Sequence, residues 1–210
     1  MSTKNKILDS AEILFAEHGF NGTSLREITS NADVNLASVN YHFGSKKELI
    51  KAVMSRYLNE LSPRLVTAFN DLNDDNTQPS LIDVFSAFIE PLLFLNSLKE
   101  NGTSNFLQLL GRGYTDSQGF LRWFLTTQYP EVFSSFTKAV HKAYPELTTE
   151  EMFWRLHFTM GTIIFTMSSS DALIDIAKND FERSTDIAGV IRRVIPYVAA
   201  GVGAPITLTN

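Results

Sequence analysis

Apolar residues recur at intervals of three and four along almost the whole chain, and strand-like alternation is scarce, so the pattern predicts an all-α protein. Ile7, Leu8, Ala11, Leu14 and Phe15 form a first stripe, which Gly19 stops. A second helix is predicted from Ser24, with Glu27 at capping-box spacing, to about Asn31. The four-residue turn Ala32-Asp33-Val34-Asn35 then leads into a short third helix capped by Asn35 and ended by Phe43-Gly44. Ser45-Lys46-Lys47-Glu48 repeats the capping-box spacing and opens a long fourth helix, in which Leu49, Val53 and Tyr57 follow at intervals of four until about Leu72. Asp71 to Ser80 is a polar linker closed by Pro79, and a helix over about 81–98 follows, interrupted by Pro91. Beyond a turn at Asn101-Gly102, Pro130 and Pro145 punctuate the chain. Thr148 or Thr149 then caps a helix with Phe153, Leu156, Met160, Ile163 and Met167 on one broad face. Ser168-Ser169-Ser170-Asp171 reads as a polar break, and a last helix is predicted over about 186–198.

Three short helices in the first 43 residues, with a four-residue turn between the second and third, have the layout of a helix-turn-helix. In such a unit the second helix lies across the sugar-phosphate backbone and the third enters a major groove about 12 Å wide. The third helix therefore needs few inward anchors and a thin, polar outward face. Val39 and Phe43, four apart, supply the anchors. Leu36, Ala37, Ser38, Asn40, Tyr41 and His42 are left for the groove and its flanking phosphates, with Asn35 at the helix start. Ala37 and Ser38 permit close approach, the Asn40 amide matches adenine, and Leu36 or Tyr41 suits a thymine methyl. Ser24 and Lys46 stand where helix N-termini offer free N–H groups to phosphates.

A net charge of −5 over 210 residues speaks at first against nucleic acid. Its distribution changes the picture. Between Asn35 and Arg56, Lys46, Lys47, Lys51 and Arg56 stand against Glu48 alone. A basic segment beside an acidic remainder suits a DNA reader with a separate regulatory domain, although random scatter produces an excess of this size too. The absence of Cys excludes disulfides and thiolate metal sites and agrees with a cytoplasmic location. Met1-Ser2-Thr3-Lys4 runs straight into an amphipathic pattern, so no signal peptide is expected. No apolar stretch of about 18 residues is free of charge, so no membrane span is expected either.

The N-terminal segment resembles the TetR family of regulators. The resemblance is carried by Ile7-Leu8-x-x-Ala11-x-x-x-Phe15-Ala16-Glu17-x-Gly19-Phe20, by Thr23-Ser24-Leu25-x-x-Ile28, and by Val39-Asn40-Tyr41-His42-Phe43-Gly44-Ser45-Lys46-x-Glu48-Leu49. It implies an all-helical dimer joined through its last two long helices, with Lys46 and Ser24 on phosphates and Tyr41 and His42 on backbone or bases. Asn35-Leu36-Ala37 departs from the polar or Gly-containing triplet of many members. The C-terminal part resembles the PsrA-type regulators, which respond to long-chain fatty acids. That likeness rests on Arg112, Ser117-Gln118-Gly119-x-Leu121-Arg122, Glu131-Val132-Phe133, Phe153-Trp154-Arg155-x-His157-Phe158-x-x-Gly161 and Phe165-x-Met167-Ser168.

Catalytic and metal chemistry find no footing in the pattern. His18, His42, His141 and His157 include no pair three or four apart, so neither a metal site nor a cofactor is expected. Gly111-x-Gly113 lacks phosphate-loop spacing, and the serine run lacks a partnered base. Phe106, Phe120, Trp123, Phe124, Trp154 and Phe158 read as core or as the lining of a ligand cavity. Arg112, Arg122 and Arg155 either pair with acids such as Asp116 or Glu151 or hold an anionic head group, for which Arg112 and Arg122 stand first. The expected organisation is a helix-turn-helix domain over 1–46 and a ligand-binding and dimerisation domain over 47–210. The homodimer interface is expected over about 148–176 and 186–201. The expected partners are a palindromic double-stranded operator and a small apolar ligand, fatty acid or acyl-CoA. An efflux regulator sensing amphipathic toxic compounds is the alternative; a helical enzyme or an interaction module would leave the thin third helix unexplained.

Overall fold

The computed structural model describes residues 2–76 and 78–205; Met1 and the side chains of Ser117 and Gln118, quoted above, lie outside the described residues. The described residues form eleven helices: α1 (Thr3–Gly22), α2 (Leu25–Asn31), α3 (Leu36–Phe43), α4 (Lys46–Asn73), α5 (Leu81–Ser86), α6 (Ile89–Leu98), α7 (Gly102–Gln128), α8 (Pro130–Ala143), α9 (Thr149–Ser168), α10 (Ser170–Phe181) and α11 (Ile187–Val202). The all-α expectation holds, and the helix starts follow their caps. Ser24, Asn35, Ser45, Thr148 and Asp186 each accept a backbone N–H from the first turn they precede.

Besides α1, which passes its expected stop at Gly19 through a kink at φ 77° and runs on to Gly22, two features differ from the periodicity reading. The predicted helix over 81–98 is two helices, and the break falls at Ala87-Phe88 rather than at Pro91. Pro91 has no N–H for the Ala87 carbonyl and its ring crowds that carbonyl, so the disruption appears one turn earlier. The whole segment Leu81–Leu98 has a mean hydropathy of 1.6, long and apolar enough by composition for a membrane span. In the fold it is cut in two, with α5 packed on α11 and α6 on α4 and α7. The second difference is at Ser45. Its hydroxyl accepts from the Glu48 N–H, but the Glu48 carboxylate turns to Lys51 Nζ at 2.7 Å, so the capping box is half made.

One hydrophobic core runs through the molecule from Ile7, Phe15, Ile28 and Val39, through Leu49 and Val53, to Ile191 and Val202. Its aromatic centre is Phe69, Phe85, Phe88 and Phe136, with ring centroids 5.1–5.9 Å apart, which ties α4 to α5, α8 and the α5–α6 junction. α1 packs mainly on α7 and also on α4, so the first helix is clasped by two long helices of the larger domain.

Candidate nucleic-acid interface

The geometry of α2 and α3 is set by the turn between them. α2 ends in a Schellman motif: the Val34 N–H donates to the Thr29 carbonyl at 3.0 Å and the Asp33 N–H to Ser30 at 3.3 Å. Asp33 occupies the left-handed position at φ 51°, where glycine is the common choice. Val34 packs against the core, and Asn35 Oδ1 accepts the Ala37 N–H at 2.9 Å, so α3 starts at once in a fixed direction. At its far end Gly44, at φ 74°, accepts the sharp turn into Ser45 and α4.

This arrangement sorts the α3 side chains as the groove requires. Val39 is fully buried, and Phe43 packs half-buried against the core. Leu36, Ala37 and Asn40 are exposed, Ser38 and His42 are half-buried, and Tyr41 is 85% exposed with its ring edge-on to His42 at 5.0 Å. An aromatic ring so exposed on a short helix makes no contribution to the fold that would explain it. Ser24 is exposed at the α2 N-cap, and its backbone N–H and hydroxyl hold the Glu27 carboxyl below the usual carboxylate range. Lys46 opens α4 half-buried. Arg26 and Lys47, the second residues of α2 and α4, are exposed beside these two. Lys47 was read only as part of the basic segment and Arg26 not at all, although each is a cation two residues beyond a predicted cap.

The residues expected to line a ligand cavity are dispersed. Phe106 and Phe124 are core residues; Phe106 sits against Tyr57 at 5.6 Å and Phe124 against Tyr129 at 6.0 Å. Phe120 and Trp123 lie under the cations of α4, with Lys47 Nζ 5.9 Å and Lys51 Nζ 5.2 Å from the ring centres. Trp154 and Phe158 are exposed and stacked on each other along α9. Arg122 is exposed on α7. Arg112 donates from Nε and Nη2 to the Ala16 and Glu17 carbonyls near the end of α1, at 3.4 and 3.2 Å. Its charge thus meets the negative end of a helix. Arg155 pairs with Glu151 at 2.9 Å and holds the Val202 and Ala204 carbonyls, fastening α9 to the end of α11.

Two cavities lie elsewhere. A groove of about 710 Å³ between α4 and α6 is lined by Arg64, Asp71, Glu90, Pro91 and Phe94, with the Arg64 guanidinium 3.5 Å from the Phe94 ring centre. A crevice of about 890 Å³ among α9, α10 and α11 is lined by Thr162, Leu173, Phe181, Arg183, Arg193 and Tyr197 among others.

The model of the C-terminal domain described as Tetracyclin repressor-like matches residues 86–201, and the model for bacterial regulatory proteins of the tetR family matches residues 7–53. The chain belongs to the TetR family. This is a family of DNA-binding transcriptional regulators, not of enzymes. Among relatives, the probable HTH-type transcriptional regulator YttP of Bacillus subtilis is 40% identical over 84 residues, 40% of this chain and 41% of that protein. The negative transcriptional regulator IcaR of the icaADBC biofilm operon in Staphylococcus aureus is 46% identical over 46 residues, 22% of this chain and 25% of IcaR. The matched stretch therefore spans well under half of either relative. A putative TetR-family regulator from Shewanella sp. PV-4 shares the fold at a TM-score of 0.58 with 17% identity, covering 95% of this chain and 96% of that one. AmtR from Mycobacterium smegmatis does so at 0.57 with 18% identity, covering 95% and 86%.

Proposed function

We propose that this TetR-family regulator is a homodimeric repressor that holds a palindromic operator and is released by a long-chain fatty acid or its CoA thioester. The observation that carries the DNA-reading part is the outward face of α3, where Leu36, Ala37, Asn40 and Tyr41 are exposed on a helix anchored by Val39. Lys46 serves as a phosphate contact and Asn40 as a base contact. Lys46→Ala is then expected to weaken all sequences about equally and to lower the salt slope by roughly one unit per contact removed, about two per dimer. Asn40→Ala relaxes preference at particular base pairs, at about 1–3 kcal/mol each. Binding of both variants across a randomised site library is the test, and a uniform loss for both would remove Asn40 from the reading face.

Dimerisation is supported by the surface of α9 to α11. Of the fourteen large apolar side chains exposed among the described residues, eight lie on these helices. Trp154, Phe158 and Phe165 are exposed along α9 with Gly161 between them, where an added Cβ would meet nothing within 4 Å. Such a gap lets a partner helix approach closely. The acyl ligand is supported by the crevice among α9, α10 and α11, which combines Leu173, Phe181 and Val194 with Arg183 and Arg193. Each buried methylene contributes about 0.8 kcal/mol, and an arginine suits a carboxylate or phosphate head group. Release of the protein–DNA complex should therefore improve with acyl chain length until the crevice is full, then decline. The groove between α4 and α6, whose lining combines the Glu90 carboxylate with apolar Pro91 and Leu93, favours a second reading, an efflux-type regulator sensing amphipathic cations. If an aromatic cationic drug dissociates the complex while acyl chains of every length leave it intact, that second reading replaces the first.

A further inference from the structure

Glu12 is a carboxylate in the middle of α1 with 3% of its side chain exposed. A charge buried to that degree persists only with partners. It has three. Tyr57 Oη donates to Oε1 at 2.6 Å, Lys99 Nζ donates to the same oxygen at 2.7 Å, and Arg56 Nη1 reaches Oε2 at 3.3 Å. Arg56 also pairs with Asp9 Oδ1 at 2.7 Å, so two acids of α1 face two cations from outside the helix-turn-helix. Burial together with the bond to Glu12 pushes the Tyr57 hydroxyl up, which keeps it a donor.

The partners come from different elements. Arg56 and Tyr57 belong to α4, whereas Lys99 lies in the short turn between α6 and α7. That turn is held rigid: Asn101 is left-handed at φ 56°, the Thr103 N–H bonds Asn96 Oδ1 at 3.0 Å, and Thr103 Oγ1 bonds the Leu92 carbonyl at 2.6 Å. Gly102 lies so close to the Leu95 carbonyl that a Cβ there would fall 2.1 Å from its oxygen. Any movement of α6 against α4 thus carries the Lys99 ammonium with it. Apolar contacts between helices tolerate sliding, and a well-packed apolar residue at position 12 would often stabilise as well as an ion pair does. What the carboxylate adds is a single permitted position of α1 relative to α4 and the α6–α7 turn. Towards the other end of α1, Arg112 of α7 donates to the Ala16 and Glu17 carbonyls, and Asp116 of α7 accepts the Asn21 N–H.

We propose that Glu12 is the positioning residue that sets the helix-turn-helix on the sensing domain, and that its bond to Lys99 thereby determines which half-site spacing the dimer accepts. The inference rests on the operator-binding reading above. Release from DNA then amounts to a displacement of the α6–α7 turn that Lys99 transmits to α1.

The test uses full-length protein and an operator selected by the wild type from randomised DNA, then lengthened or shortened by one base pair between its half-sites. Wild type, Glu12→Gln, Lys99→Met and Lys99→Arg are compared for binding to each spacing and to random-sequence DNA. Lys99→Met and Glu12→Gln should discriminate between spacings about fivefold less than wild type, or worse. Their affinity for random DNA and their salt slope should be unchanged, and Lys99→Arg should restore discrimination. A structural role alone would lower the melting temperature and leave spacing selectivity alone. Lys99 is 37% exposed, so Lys99→Met decides the matter if Glu12→Gln fails to fold. Equal discrimination by wild type and Lys99→Met, within about twofold, overturns the role of Glu12 while leaving the operator-binding reading intact. A wild type that selects an operator but accepts every spacing equally overturns the role of Glu12 alone, and one that selects no operator from randomised DNA overturns both.

Discussion

Asp33 holds a left-handed backbone at the joint between α2 and α3, a conformation that costs an L-residue energy and glycine none. Asp33→Gly is therefore expected to stabilise the protein by about 1 kcal/mol with specific DNA binding retained, which denaturant melts and a binding titration would check. Glu27 makes a different kind of prediction. Hydrogen bonds from Ser24 lower its carboxyl below the ordinary range, so its charge contributes stability above the unfolded-state value, and that contribution is lost as pH falls through the lower folded value. The melting temperature of Glu27→Gln should fall short of wild type by a constant amount near neutral pH. The gap should close in acid, below about pH 4. Tyr41 belongs to this scale too. Because it is 85% exposed, Tyr41→Ala should leave the melting temperature unchanged while weakening the operator complex by about 1–3 kcal/mol.

At the scale of helices, capping chemistry and proline were legible because they act over a few neighbouring residues. Ser24 and Glu27 bond as their spacing implied, Asn35 caps α3 as expected, and of the two threonines offered for α9 it is Thr148 that accepts the first-turn N–H, from Glu151. The Ser45 box is half made because Glu48 has a lysine within reach one turn on, a competition that spacing does not rank. Gly102 shows what lies beyond local reading: nothing in Asn101-Gly102 reveals that the glycine sits against the backbone of Leu95. Gly102→Ala should destabilise by about 3 kcal/mol despite the better helix propensity of alanine, because the obstacle is a carbonyl rather than a flexible side chain. Chemical denaturation measures this directly.

For the molecule as a whole, the exposed aromatic stripe of α9 is the feature a monomer leaves unexplained. Phe158→Glu should convert the dimer to monomer in sedimentation experiments while leaving the helical content unchanged. Specific operator affinity should fall steeply, since two half-sites are then no longer held at the spacing of about one helical turn. Binding to random DNA, which depends on phosphate charge, should persist. The sensing domain meets the helix-turn-helix at more places than the continuous α4 suggests. α7 clasps α1 through Arg112 and Asp116, and Lys99 reaches Glu12 from the turn before it.

The sequence by itself determined the helical class, the helix-turn-helix layout and its anchors Val39 and Phe43. It did so because periodicity, caps and turns are set by residues within about four positions of one another. It also marked the exposed face of α3, since a short helix with two inward residues has only one way to turn. The tertiary structure alone decided where the aromatic and cationic residues of the larger domain went. Phe106 and Phe124 entered the core, Phe120 and Trp123 met lysines of α4, and Trp154 and Phe158 stayed on the surface. Arg112 became a clamp on α1, and the partners of buried Glu12 came from positions 44, 45 and 87 residues away. Such pairings depend on how long helices cross, and a crossing brings together residues that no spacing along the chain relates.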